Sequence, residues 1–199
     1  MSELLRIEFL IQKNYIKSLV ISIIVILCSF TLSNSINNIQ FMSIFFTFYF
    51  IIVSIQIEKR NKFNIYLNSL PIKKEKYVLS KYLSSIIYII LTNILFLIIS
   101  LFFNFIFNRT MSTCFSNIIT TLSIQFLYAS IILPVFINLN YKYIKFFNVA
   151  FSVITVIFLM EMQIKTTLFI NNFKFLIFSI IVFLISLMLS IFIFKRRDV

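Results

Sequence analysis

Polar residues fall in short clusters along this chain, and between them lie six apolar runs at about 16–33, 40–57, 82–107, 116–138, 146–164 and 174–194. Each is close to the roughly 20 residues that an α-helix needs to cross about 30 Å of hydrocarbon. Apart from residues at their ends, five of the runs carry no charge; the run at 146–164 has one inside, Glu161. The third run is the longest, and a tilted helix would accommodate its extra length. The pattern predicts an all-α polytopic membrane protein with six transmembrane helices, forming a single domain over residues 1–199.

Before the first run, residues 1–17 mix charges with aliphatics, and Leu4, Ile7 and Ile11 line one side of a candidate interfacial helix. Glu3 and Glu8 argue against a cleavable signal peptide, and no small-residue cleavage site follows the run. Lysine and arginine then orient the spans. The N-terminal segment (Arg6, Lys13, Lys17), the 58–81 stretch, the 139–145 loop (Lys142, Lys145) and the tail (Lys195, Arg196, Arg197) hold fifteen of them. The alternate segments hold three, Arg109, Lys165 and Lys174. The N-terminus and C-terminus are therefore expected in the cytoplasm, which an even number of spans requires. The outer loops, at about 34–39, 108–115 and 165–173, are too short to fold into a domain.

The longest polar interruption, residues 58–81, carries seven Lys/Arg and two Glu. Within it Phe63, Tyr66, Leu67 and Leu70 fall at i, i+3, i+4 and i+7, one stripe of a helix. Pro71 ends that helix, because proline has no N–H and biases the preceding residue away from the helical region. Three uses fit the stretch. Its stripe can enter a groove on a soluble partner, it can rest on lipid at the interface, or the whole can be a solvated loop whose cations set topology.

Composition narrows the function classes. The chain is 61% hydrophobic with 27 Phe and no Gly, Trp or His, and only 12% of its residues are charged. Its mean hydropathy is +1.04. A soluble domain of this length has no core large enough for so much apolar surface. Without glycine there is no phosphate-cradling GxxxxGK[ST] loop and no GxGxxG turn. Without histidine, and with six acidic residues of which five lie outside the apolar runs, a zinc or two-carboxylate catalytic centre is disfavoured. The chain is expected to be no enzyme and to bind no metal. The +12 net charge does not point to nucleic acid, since the cations sit at the ends of apolar runs and form no basic face that could track a phosphate backbone. Cys28 and Cys114 match no metal or redox spacing and read as buried thiols.

Few polar side chains lie inside the runs. Glu161 is the only carboxylate at membrane depth, a weak candidate for substrate or proton contact. The competing reading pairs it with Lys165 at i+4 near the outer interface. Gln56, Thr92, Asn93, Asn104, Thr120, Thr121, Gln125 and Asn138 read first as hydrogen-bonding groups between helices. Pro134 is expected to kink the fourth span. With no glycine for close helix approach, the small contact residues must be Ser, Thr, Ala129 and Ala150.

Six spans, both ends inside and a cytoplasmic segment between spans two and three resemble the membrane subunits of ATP-binding-cassette exporters of the second type. The stretch from Glu58 through Tyr66-Leu67-Asn68-Ser69-Leu70-Pro71 to Ser80-Lys81-Tyr82 is similar to a pattern common in bacterial members, in which an acidic residue ends the second span, Ser-Leu-Pro follows, and a basic segment leads to Ser-Lys-Tyr. The topology resemblance covers the whole chain; the motif covers about 25 residues. It implies that 58–81 contains a coupling helix that docks in a cleft of a cytoplasmic ATPase. Phe63, Tyr66, Leu67, Leu70 and Pro71 would form the docking element, flanked by Glu58, Lys59 and Arg60. ATP and Mg would then be bound by that ATPase subunit and not by this chain. A second permease subunit, identical or homologous, would complete the pathway in a bacterial plasma membrane. The exported substrate would be hydrophobic or amphipathic, a peptide being one candidate. The rival reading is a non-transporting membrane protein: an immunity, scaffold or assembly factor.

Overall fold

The computed structural model describes Leu10, 42–61, 74–106, 112–138, Tyr143 and 172–196. These residues form four long helices: α1 (Met42–Arg60), α2 (Lys74–Ile106), α3 (Ser112–Asn138) and α4 (Asn172–Arg196), with no strand among them. Each is long and apolar enough to cross a membrane. They correspond to the second, third, fourth and sixth apolar runs. The first and fifth runs, the interfacial helix at 1–17 apart from Leu10, Glu161 and both termini lie outside the described residues.

The boundaries shift most at α2, which begins at Lys74, inside the polar stretch 58–81 and eight residues before the third apolar run. Hydropathy loses the helix there because Lys74, Glu75, Lys76 and Lys81 are charged. Tyr77, Val78, Lys81, Tyr82 and Ser85 are nonetheless buried at helical spacing. At 33 residues α2 is about 50 Å long.

Cross-helix contacts give the packing directions. On α1 and α2, Ser43 meets Asn93, Thr47 meets Thr92, and Ser54 meets Lys81, so the two helices are antiparallel. Tyr77 stacks near Phe194 and Tyr82 bonds Ser186 and Ser190, so α2 is antiparallel to α4 as well. Phe48–Tyr128 with Lys59–Ile137, and Phe126–Phe183 with Ser130–Ser186, make α1, α3 and α4 mutually parallel. The end of α3 and the start of α4 therefore lie at opposite ends of the bundle. Lys59, Arg60, Lys74, Lys76, Lys81, Lys195 and Arg196 all lie toward one end. Among the described cations Lys174 alone lies at the other, so the cation-rich end is the one that the positive-inside rule leads one to expect in the cytoplasm.

Lipid tails are as apolar as leucine, so packing, small residues and hydrogen bonds hold such helices together. With no glycine, serine takes the small-residue role: Ser43, Ser54, Ser84, Ser85, Ser130, Ser186 and Ser190 are buried, as is Ala129. Pro134 remains inside α3. It has no N–H for the carbonyl of Ser130 four residues earlier, and the Ser186 hydroxyl of α4 donates to that carbonyl at 2.5 Å.

Candidate functional site at the cation-rich end

The inner ends of α1 and α2 flank residues 61–73. Ser54 and Glu58 are four apart on α1, and Tyr77 and Lys81 are four apart on α2, so each pair shares one helix face. The two faces meet. Lys81 Nζ lies 2.6 Å from Glu58 Oε1, with the side chains only 2% and 5% exposed. Tyr77 donates its hydroxyl to Glu58 Oε2 at 2.9 Å, and Lys81 Nζ donates to Ser54 Oγ at 3.2 Å. The ammonium also lies 5.6 Å from the centre of the Tyr77 ring, within cation–π range. Each carboxylate oxygen thus has a donor, and the cation has a carboxylate, a hydroxyl and a ring. Removing either charged partner strands a buried ion, at a cost of about 3–5 kcal/mol.

Around this pair the other charges take separate partners. Lys59 reaches across to donate to the carbonyl of Ile137 near the end of α3 at 2.7 Å, where the helix dipole favours a cation. Arg60 is exposed, and the Asn61 amide closes the last turn on Ile57. Lys195 and Glu75 join α4 to the start of α2 at 3.3 Å, but both are exposed. The charges expected to flank a docking element therefore divide. Glu58 turns inward, because its carboxylate finds Lys81 and Tyr77 there; Lys59 crosses to α3; Arg60 faces outward. Phe63, Tyr66, Leu67, Leu70 and Pro71 lie outside the described residues.

A second polar layer lies deeper, about 18 Å along α2 from Lys81. Asn93 is its hub. Its amide nitrogen donates to the Ile89 carbonyl at 2.7 Å and to Gln125 Oε1, and its oxygen accepts from Thr121 at 3.1 Å and Ser43 at 3.4 Å. Gln125 donates to Ser43 at 3.0 Å, and the hydroxyls of Thr47 and Thr92 meet at 2.7 Å. These groups bond one another across α1, α2 and α3, as expected for polar side chains between spans. Among the described residues no three of His, Cys, Asp or Glu gather to hold a metal.

Sequence reasoning missed Ser43, Thr47, Ser54 and Tyr77, and placed Lys81 in the basic stretch and its closing Ser-Lys-Tyr motif without a partner in Glu58. A signal existed for the inner pair: Tyr77 and Lys81 continue the helical spacing of the third run backwards, opposite Ser54 and Glu58 at the end of the second.

Residues 3–195 match a family model described as ABC-2 family transporter protein. No curated protein and no solved structure matches.

Proposed function

The chain belongs to the ABC-2 family of transporter membrane proteins, and from that premise we propose that it is the permease subunit of an exporter driven by ATP hydrolysed on a separate cytoplasmic ATPase. The family match supports the transport role. The observation that carries the coupling role is the tied hairpin: a short basic segment, 61–73, whose flanking helices are joined by the buried Glu58–Lys81 pair at the cation-rich end. Force arriving from this stretch therefore meets α1 and α2 at a level where the two helices are tied together.

On this reading Phe63, Tyr66, Leu67 and Leu70 enter a cleft of the ATPase, since large apolar side chains in a pocket dominate such contacts. Arg60, exposed at the start of the segment, adds a charged flank. The cargo is a hydrophobic or amphipathic molecule, a peptide being one candidate, because the interhelical polar groups bond one another and the described outward faces are apolar. A second permease subunit, a copy or a homologue, supplies the other half of the pathway, and the pair works in a bacterial plasma membrane. Tagged protein should co-purify a P-loop ATPase. Phe63→Asp combined with Leu67→Asp should abolish that association while membrane insertion persists; an unchanged association would refute the docking assignment.

A further inference from the structure

This inference rests on the reading that an ATPase pushes residues 61–73. A push on that segment reaches the bundle through α1 and α2. Apolar contacts between them, such as the stacked rings of Phe50 and Tyr88, resist sliding weakly in a bilayer, because lipid solvates either helix as well as its neighbour does. Among the described residues, side-chain bonds tie α1 to α2 at two levels. One is the Glu58–Lys81 pair with its Ser54 and Tyr77 bonds; the other is the Thr47–Thr92 and Ser43–Asn93 contact, about 18 Å farther along α2. A single fixed point between two rods leaves a pivot. Two fixed points make one rigid body.

We infer that Glu58 and Lys81 are positioning residues that make α1 and α2 a single lever beneath the segment. Movement of the segment then passes into α2 without shear between the two helices. From α2 it reaches α3 through Asn93–Gln125 and α4 through Tyr82–Ser186 and Tyr82–Ser190.

The variant that separates this role from simple packing is E58L/K81M. It removes both charges together and strands neither, and such replacements by apolar residues often leave stability unchanged or higher. The reporter is Ser100→Cys on α2, buried at 4% exposure, in a background with Cys28→Ser and Cys114→Ser. Its labelling rate by a cationic methanethiosulfonate is measured on the whole complex, with and without ATP plus vanadate.

With the pair intact, the nucleotide should change the rate by about fivefold or more, the lower range of a coupling between sites. E58L/K81M should keep the ATPase bound and hydrolysing, yet its response should fall below about twofold, and E58K/K81E should recover a response. A full response in E58L/K81M overturns the lever, as does a parent complex with no response. Loss of the ATPase from E58L/K81M also overturns it, because the pair would then belong to the docking surface. Should E58L/K81M not insert, E58Q/K81M, which also strands no ion and keeps a polar group for Tyr77, carries the same test with the same expected loss. A parent that captures no ATPase refutes the functional reading itself, which is a separate outcome.

Discussion

Ser186 on α4 donates its hydroxyl to the carbonyl of Ser130 on α3, the acceptor that Pro134 leaves without its helical N–H. Ser186 has one proton, and it goes to that carbonyl. The Tyr82 hydroxyl, 2.8 Å from Ser186 Oγ, therefore donates to Ser186, and Ser190 donates to Tyr82. Three helices are joined by one ordered chain of bonds that begins with a proline.

Ser186→Ala should destabilise the protein by about 1 kcal/mol, a typical value for a hydrogen bond between spans. In a Pro134→Ala background the penalty should shrink, because the new amide N–H at position 134 can bond the Ser130 carbonyl. Unfolding of both series in mixed detergent micelles measures the difference. Equal penalties in the two backgrounds would show that Ser186 does not serve the proline-freed acceptor.

The inner ion pair and the surface ion pair should differ sharply. Glu58→Leu or Lys81→Met alone should cost about 3–5 kcal/mol, since each leaves an ion buried without its partner. The E58L/K81M combination should return close to the parent. Lys195→Ala, which breaks an exposed pair with Glu75, should cost under about 1 kcal/mol. A complete double-mutant cycle by equilibrium unfolding reads all three.

In the deeper layer Asn93→Leu should be worse than Thr47→Val. Loss of Asn93 takes partners from Ser43, Thr121 and Gln125 at once, and a buried polar group left unsatisfied costs about 1–3 kcal/mol. Thr47→Val removes the contact with Thr92 and the local bond to the Ser43 carbonyl one turn earlier, and Thr92 still donates to the carbonyls of Tyr88 and Ile89. Similar losses for the two variants would contradict the hub role of Asn93.

Orientation can be read by cysteine accessibility in the Cys28→Ser, Cys114→Ser background. A cysteine at Asn68 should react with an impermeant thiol reagent only from the cytoplasmic side, and one at Asn172 only from outside. The reverse pattern would invert the arrangement deduced from the cations.

Composition and hydropathy determined that this protein is helical and embedded in a membrane. Four of the six apolar runs coincide with described helices to within a few residues at most ends. Among the described residues, the cations that the sequence places on one side of the spans gather at one end of the bundle. These properties are legible because they are one-dimensional: a span needs a length of apolar chain, and orientation needs only a count of charges along it. Asn93, Thr121 and Gln125 could be assigned to helix contacts for the same reason, since a polar amide at membrane depth needs a partner.

Which partner each one finds is not contained in a linear pattern. Lys81 looked like one cation among seven in a polar stretch, and Glu58 like a flanking charge, because hydropathy registers a charge and not what neutralises it. Only when α1 and α2 lie side by side do residues 23 positions apart in sequence meet as a buried pair. The answer of Ser186 to Pro134 is of the same kind, for a proline announces a missing hydrogen bond but not the helix that will supply one. Chain periodicity sets the elements, while the pairing of scarce polar groups in a medium without water settles how they pack.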